Sequence, residues 1–153
     1  MFRGLFEHSI DAKGRTSFPS RFRDVLAKSP TSDADDGEKV MITTGIDRCL
    51  VVYPTQVWEA FEAKLAGLSQ FDPAVVQLKR MYVAPAVECP IDRHGRLLIP
   101  PTLRDYAGLQ RDLLWAGMVT TIEIWSKDGW AAQASVARQD PRAIASALTE
   151  LGL

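Results

Sequence analysis

The sequence predicts a mainly β fold with short helices, an α+β class in which one small module occurs twice. Three observations carry this. The chain repeats itself at long range, its apolar runs are short and β-branched, and nine prolines and ten glycines are spread along it. Such punctuation favours many turns over long helices. The 46% hydrophobic and 24% charged composition over 153 residues is that of a soluble globular protein.

The repeat fixes the organisation. Asp11-Ala12-Lys13-Gly14-Arg15 returns as Asp92-Arg93-His94-Gly95-Arg96, an offset of 81 residues. Glu7, Ile10, Pro19 and Arg23-Asp24 recur at the same offset as Glu88, Ile91, Pro100 and Arg104-Asp105. Further along the offset is 72: Gly45 matches Gly117, Tyr53 matches Trp125, and Trp58 matches Trp130. The nine-residue difference locates an acidic surface loop in the first copy, Ser29–Glu38. The expected domains are a first module over 5–57, a helical connector over 58–85, a second module over 86–129 and a helical tail over 130–153. A module of about 50 residues is near the lower limit for an independent core. The modules must therefore bury their apolar faces on each other or on another chain.

Within the first module, Gly4–Ile10 reads as a strand and Asp11–Gly14 as a turn. Asp bonds backbone amides two residues on, and Gly supplies the positive φ that closes the turn. Arg15–Phe18 reads as the returning strand. Pro19 suits the first position of a helix over Pro19–Ala27 that buries Phe22, Val25 and Leu26. Val40–Thr44 and Cys49–Tyr53 read as two further strands. The second module follows the same plan, with strands Ala86–Ile91 and Arg96–Ile99 around the turn Asp92–Gly95. A helix Pro101–Ala107, stopped by Gly108, and strands Leu113–Met118 and Thr121–Trp125 complete it. Outside the repeat, Gln56–Leu68 reads as a helix with Trp58, Phe61, Leu65 and Leu68 on one face. Asp72-Pro73 opens a helix to about Tyr82, and Asp140-Pro141 opens a last one with Ile144, Leu148 and Leu151 along one side. Trp58 and Trp130 are expected as core anchors.

The net charge is −1, so positive charge useful to a polyanion must be local. Met1–Lys28 holds six cations against three anions, a net of +3, and Gln77–Arg111 repeats that balance. Cys49 and Cys89 have no partner at metal-ligand spacing and read as reduced thiols, so no metal is expected. No paired carboxylates, nucleophile–His arrangement or Gly-rich phosphate loop appears, so neither enzymatic activity, a cofactor nor a small-molecule substrate is expected. No stretch approaches the ~20 apolar residues of a membrane span. The protein reads as soluble and intracellular.

Met1-Phe2-Arg3-Gly4, the two Asp-x-x-Gly-Arg turns, Leu97-Leu98-Ile99-Pro100 and Ile122-Glu123-Ile124-Trp125 together resemble the MraZ family of bacterial transcriptional regulators. The resemblance runs from Met1 to about Trp130. It implies AbrB-like swapped-hairpin modules forming a pseudo-dimeric β-barrel, with chains assembled into a homo-oligomeric ring. It further implies binding to G-rich direct repeats in double-stranded DNA upstream of a division and cell-wall gene cluster, repression there, and a cytoplasmic, nucleoid-associated location. Carried onto this sequence, Arg15 and Arg96 are the DNA-contacting candidates, with Lys13, Arg93 and Arg3 beside them. Asp11, Gly14, Asp92 and Gly95 are the turn formers. A guanidinium fork matches guanine O6 and N7 in the major groove, and a two-stranded ribbon fits that groove. Lys13 and Arg93 suit phosphates, which give affinity without sequence information. The competing readings are a ring-forming structural protein without specific DNA binding, and a small enzyme on a related barrel built around Asp92-Arg93-His94.

Overall fold

The computed structural model describes residues 1–28 and 37–153. Most of the expected acidic loop, residues 29–36, lies outside the described residues. The chain builds a six-stranded antiparallel sheet in the order β1 (Leu5–Ser9), β7 (Asp112–Met118), β8 (Thr121–Ser126), β4 (Leu50–Pro54), β3 (Lys39–Thr44) and β5 (Val87–Pro90). A separate two-stranded ribbon joins β2 (Arg15–Ser17) to β6 (Arg96–Leu98). The helices are α1 (Ser20–Ala27), α2 (Thr55–Ala66), α3 (Pro73–Leu78), α4 (Pro101–Ala107), α5 (Lys127–Gln139) and α6 (Pro141–Glu150).

The strand order shows how the two copies combine. β1 of the first copy pairs with β7 of the second, Leu5 facing Ala116 and Ser9 facing Asp112. The equivalent β5 of the second copy pairs with β3 of the first, Lys39 facing Pro90. At the centre β4 meets β8, Leu50 facing Ile124 and Val52 facing Ile122. Exchanging the copies maps this order onto itself, so a pseudo-two-fold axis passes between β4 and β8. Each copy therefore contributes strands to the other, a swapped arrangement that neither copy makes alone.

One continuous core follows. Val40, Ile42, Leu50 and Val52 of the first copy and Ile99, Leu113, Trp115, Ile122 and Ile124 of the second are fully enclosed and share one cluster. Phe22 on α1 meets Phe2, Phe6 and Phe18 with its ring roughly edge-on, centroids 5.0–6.5 Å apart. Such pairs add about 0.5–1.5 kcal/mol each beyond the area they bury.

The sheet is open, which corrects the expected barrel. β1 and β5 form its edges, and at Ile10 and Ile91 their chains turn away into the ribbon, so among the described residues no strand joins the two edges. Helix α1 starts at Ser20, with Pro19 just outside it as the capping residue at ψ 128°. The connector helix begins at Pro73, where the Asp72 side chain accepts from Ala74 N–H, but after Leu78 it widens into a π-helical turn, Lys79–Val83. Thr43 and Thr44 of β3 donate their hydroxyls to the carbonyls of Tyr82 and Met81 in that turn. Leu68 lies beyond the end of α2 and is exposed. Helix α5 opens the expected helical tail, starting three residues before the expected boundary at 130. The repeat contained it, because α2 displaced by 72 residues begins at Lys127. Ser126 caps it by accepting from Gly129 N–H at 3.0 Å.

The two tryptophans differ. Trp58 is buried, with Tyr53, Phe61 and Tyr82 around it at centroid distances of 5.2–6.3 Å. Trp130 is half-buried and meets Trp125 edge-on at 6.0 Å, so it is not the core anchor its repeat position suggested. The connector supplies the extra cover in the first copy. In the second, α6 follows α5 but leaves Ile144, Leu148 and Leu151 exposed. No helix among the described residues is long and apolar enough to cross a membrane.

Candidate nucleic-acid interface

Each Asp-x-x-Gly-Arg segment is a tight turn held by its own aspartate. One carboxylate oxygen of Asp11 accepts from the backbone N–H groups of Lys13 and Arg15, both at 2.9 Å. The other accepts from Arg15 Nε at 2.8 Å. Gly14 N–H donates to Asp11 C=O at 3.0 Å while Gly14 sits at φ +89°, a conformation that suits glycine. The second turn is built alike. Asp92 accepts from the N–H groups of His94 and Arg96 at 2.8 and 2.9 Å, and Gly95 lies at φ +75°. Its arginine contact is looser, Nε to carboxylate 3.4 Å.

Each turn is also held by the other copy. Ile99 N–H donates to Gly14 C=O and Phe18 N–H to Gly95 C=O, both at 2.8 Å. Arg104 on α4 reaches the first turn, its Nη1 3.4 Å from Ala12 C=O. Arg23 on α1 packs under Gly95 and donates to Glu38 at 2.5 Å. Sequence reasoning gave this repeated arginine no role, although its recurrence at offset 81 was the available signal.

The ribbon then sets which side chains point outward. Arg15 faces Leu98, Thr16 faces Leu97 and Ser17 faces Arg96. Thr16 and Leu97 are buried, so Arg15, Ser17, Arg96 and Leu98 share the outer face. Arg15 and Arg96 are diagonal neighbours across two strands, roughly 7–8 Å apart. They stand on one composite ribbon rather than on two separate hairpin tips. Their side chains are 47% and 45% exposed. The paired aspartate engages the Nε side of each of these half-exposed guanidinium groups.

Lys13 and Arg93 are exposed in the turns, but not at equivalent positions. Lys13 matches His94, and Arg93 matches Ala12. Arg3 lies at the opposite end of β1 from the ribbon, beside Gly117 and the β7–β8 turn. The buried thiols of Cys49 and Cys89 are pushed up to about 12 and about 11, chiefly by loss of solvent. They stay protonated and unreactive at neutral pH.

The turn carboxylates titrate below the usual range. Backbone hydrogen bonds from Arg15 and Arg96 are the largest cause for Asp11 and Asp92 respectively. A carboxyl lowered on folding adds stability above its ordinary value, and that contribution is lost as pH falls through the lowered one. The turns should therefore be unaffected from pH 8 to pH 5 and loosen only below about pH 4. Carboxyl-carbon NMR titration reads this directly. Midpoints at or above the ordinary aspartate value would contradict the turn geometry.

A doubled, strand-exchanged β module with an arginine-bearing ribbon defines the class of fold, and comparison places the chain within it. The family profile described as "MraZ protein, putative antitoxin-like" matches residues 1–81 and again 82–150. The "Transcriptional regulator MraZ" of Thermomicrobium roseum is 42% identical over 99% of both chains. That of Lachnoclostridium phytofermentans is 42% identical over all of this chain and 99% of its own. The Acetivibrio thermocellus protein of the same name is 39% identical over the whole of both. The chain belongs to the MraZ family.

Proposed function

We propose that this chain is a sequence-specific DNA-binding transcriptional regulator, a repressor acting at short G-rich direct repeats upstream of its own division and cell-wall gene cluster. The observation that carries the reading is the pair Arg15 and Arg96 on the outer face of one short ribbon. Bases along a strand rise ~3.4 Å per step, so arginines roughly 7–8 Å apart match guanines about two steps apart. Asp11 on the Nε of Arg15 orients that guanidinium plane before DNA arrives, Asp92 does so more loosely for Arg96, and each arginine then offers two donors to O6 and N7. Lys13 and Arg93 take phosphates. Arg3, at the far end of β1, adds only diffuse positive charge.

Several chains act together as a homo-oligomeric ring in the cytoplasm, at the nucleoid. The exposed apolar residues of α6 support assembly, and repeated ribbons on repeated boxes gain avidity of ~10²–10⁴ when spacings match.

Footprinting of the upstream region tests binding, box sequence and spacing together. A competitor-resistant protected array is expected. An oligomer in sizing experiments that protects nothing would favour the structural alternative. Lys13→Ala should weaken box and scrambled duplexes by the same factor and reduce the slope of log K against log salt by about one per engaged phosphate. A loss confined to the box would move Lys13 from phosphate to base.

A further inference from the structure

Resting on the DNA-binding reading, we infer that the ribbon reads its box in one direction, because Leu98 gives one end a thymine-methyl contact that Ser17 cannot give the other. The repeat makes the ribbon nearly symmetric. Arg15 matches Arg96, and Thr16 matches Leu97, but Ser17 matches Leu98. The register sets each of these last two against the opposite copy's arginine: Leu98 faces Arg15, and Ser17 faces Arg96.

Leu98 lies on the outer face at 49% exposure, while its neighbours Leu97 and Ile99 are enclosed. Directly opposed residues in an antiparallel pair lie ~4.5–5.5 Å apart. Leu98 therefore occupies the base step next to the one Arg15 reaches. Thymine is the base that presents a methyl in the major groove, and an apolar side chain is what recognises it. Ser17 presents a hydroxyl, which bonds donors or acceptors of any base and discriminates weakly. One end of the ribbon thus specifies guanine beside thymine, the other guanine with a loosely specified neighbour. A site read this way is not a palindrome, although the fold reading it has a pseudo-two-fold axis.

The test uses the full-length protein. Duplexes are selected from a random pool, and each thymine of the enriched box is then replaced singly by deoxyuridine, which removes only the methyl. For the unmodified protein one thymine beside a guanine should be sensitive, with about fourfold weaker binding, the worth of one buried methyl-sized group. Leu98→Ser should bind thymine and deoxyuridine versions equally. Ser17→Leu should enrich a more symmetric box with a second methyl-sensitive position. Both residues are exposed, and matching urea midpoints show that the variants fold. Equal deoxyuridine losses for the unmodified protein and Leu98→Ser, or no sensitivity at any thymine, would overturn the inference while leaving the regulator reading intact. Enrichment of no box at all would sink that reading too.

Discussion

Replacing Arg15 and Arg96 together with alanine is expected to remove box recognition while leaving the fold in place. Each bidentate arginine–guanine contact is worth about 1–3 kcal/mol of discrimination. If the two add, about 2–6 kcal/mol is lost per ribbon, roughly 30-fold at the low end. They are close enough to couple, so the single substitutions and the double should be measured as a cycle. Both side chains are nearly half exposed, and each turn keeps its aspartate-to-backbone hydrogen bonds without them. Stability should therefore change little. Arg15→Lys separates charge from shape. An ammonium retains phosphate attraction but cannot present the planar two-donor edge, so its preference for the box over scrambled DNA should fall almost as far as with alanine. Full recovery of that preference by lysine would show that the site contributes charge alone.

A large loss of stability is expected from Gly14→Ala. Gly14 is at φ +89°, and a methyl there would lie 2.6 Å from the Ile99 carbonyl oxygen, a backbone atom fixed by the opposite copy. Arg104 Nε would be 2.7 Å away as well. The left-handed backbone alone costs about 1–2 kcal/mol with a side chain present, and the clash must be relieved by moving the ribbon. A loss of about 3 kcal/mol or more is expected in urea unfolding. Gly95→Ala makes the comparison sharp. It has the same strained φ, but its nearest neighbour is the flexible end of Arg23 at 3.1 Å. Its cost should stay near the backbone contribution, about 1–2 kcal/mol. Equal losses at the two positions would mean that the contact with Ile99 does not constrain the first turn.

The doubled plan, the turns and nearly every strand were legible in the sequence, because each has a local cause. Asp-x-x-Gly names its own turn, and Val40–Thr44 can form little but a buried strand. What local pattern does not encode is which copy each strand pairs with. Nothing in Leu5–Ser9 names Asp112–Met118 as its partner, and that exchange decides that the sheet stays open and that both arginines share one ribbon. Trp130 shows a second limit. Its identity matches Trp58, yet its burial depends on a connector that follows one copy and not the other. Helix α5 is the opposite case. The repeat sets its start at Lys127, matching Thr55 of α2, and its small residues Ala131, Ala132, Ala134 and Ala137 leave it with no buried side chain. At the candidate site, the sequence did not disclose which side chains share one face, since the placement of Leu98 opposite Arg15 follows from the β2–β6 register.

The exchange of strands also bears on how the chain is made. Leu5 finds its partner at Ala116, so β1 leaves the ribosome long before β7 exists. At ~5–20 residues per second the wait is roughly 5–20 s. During it the first half carries Val40, Ile42, Leu50 and Val52 with no opposite layer to cover them. Neighbouring nascent chains on one message carry the complementary halves at the same moment, so strand capture between molecules competes with closure within one. The covalent link through α2 and α3 tips that competition toward closure by keeping the late strands at high local concentration around the early ones.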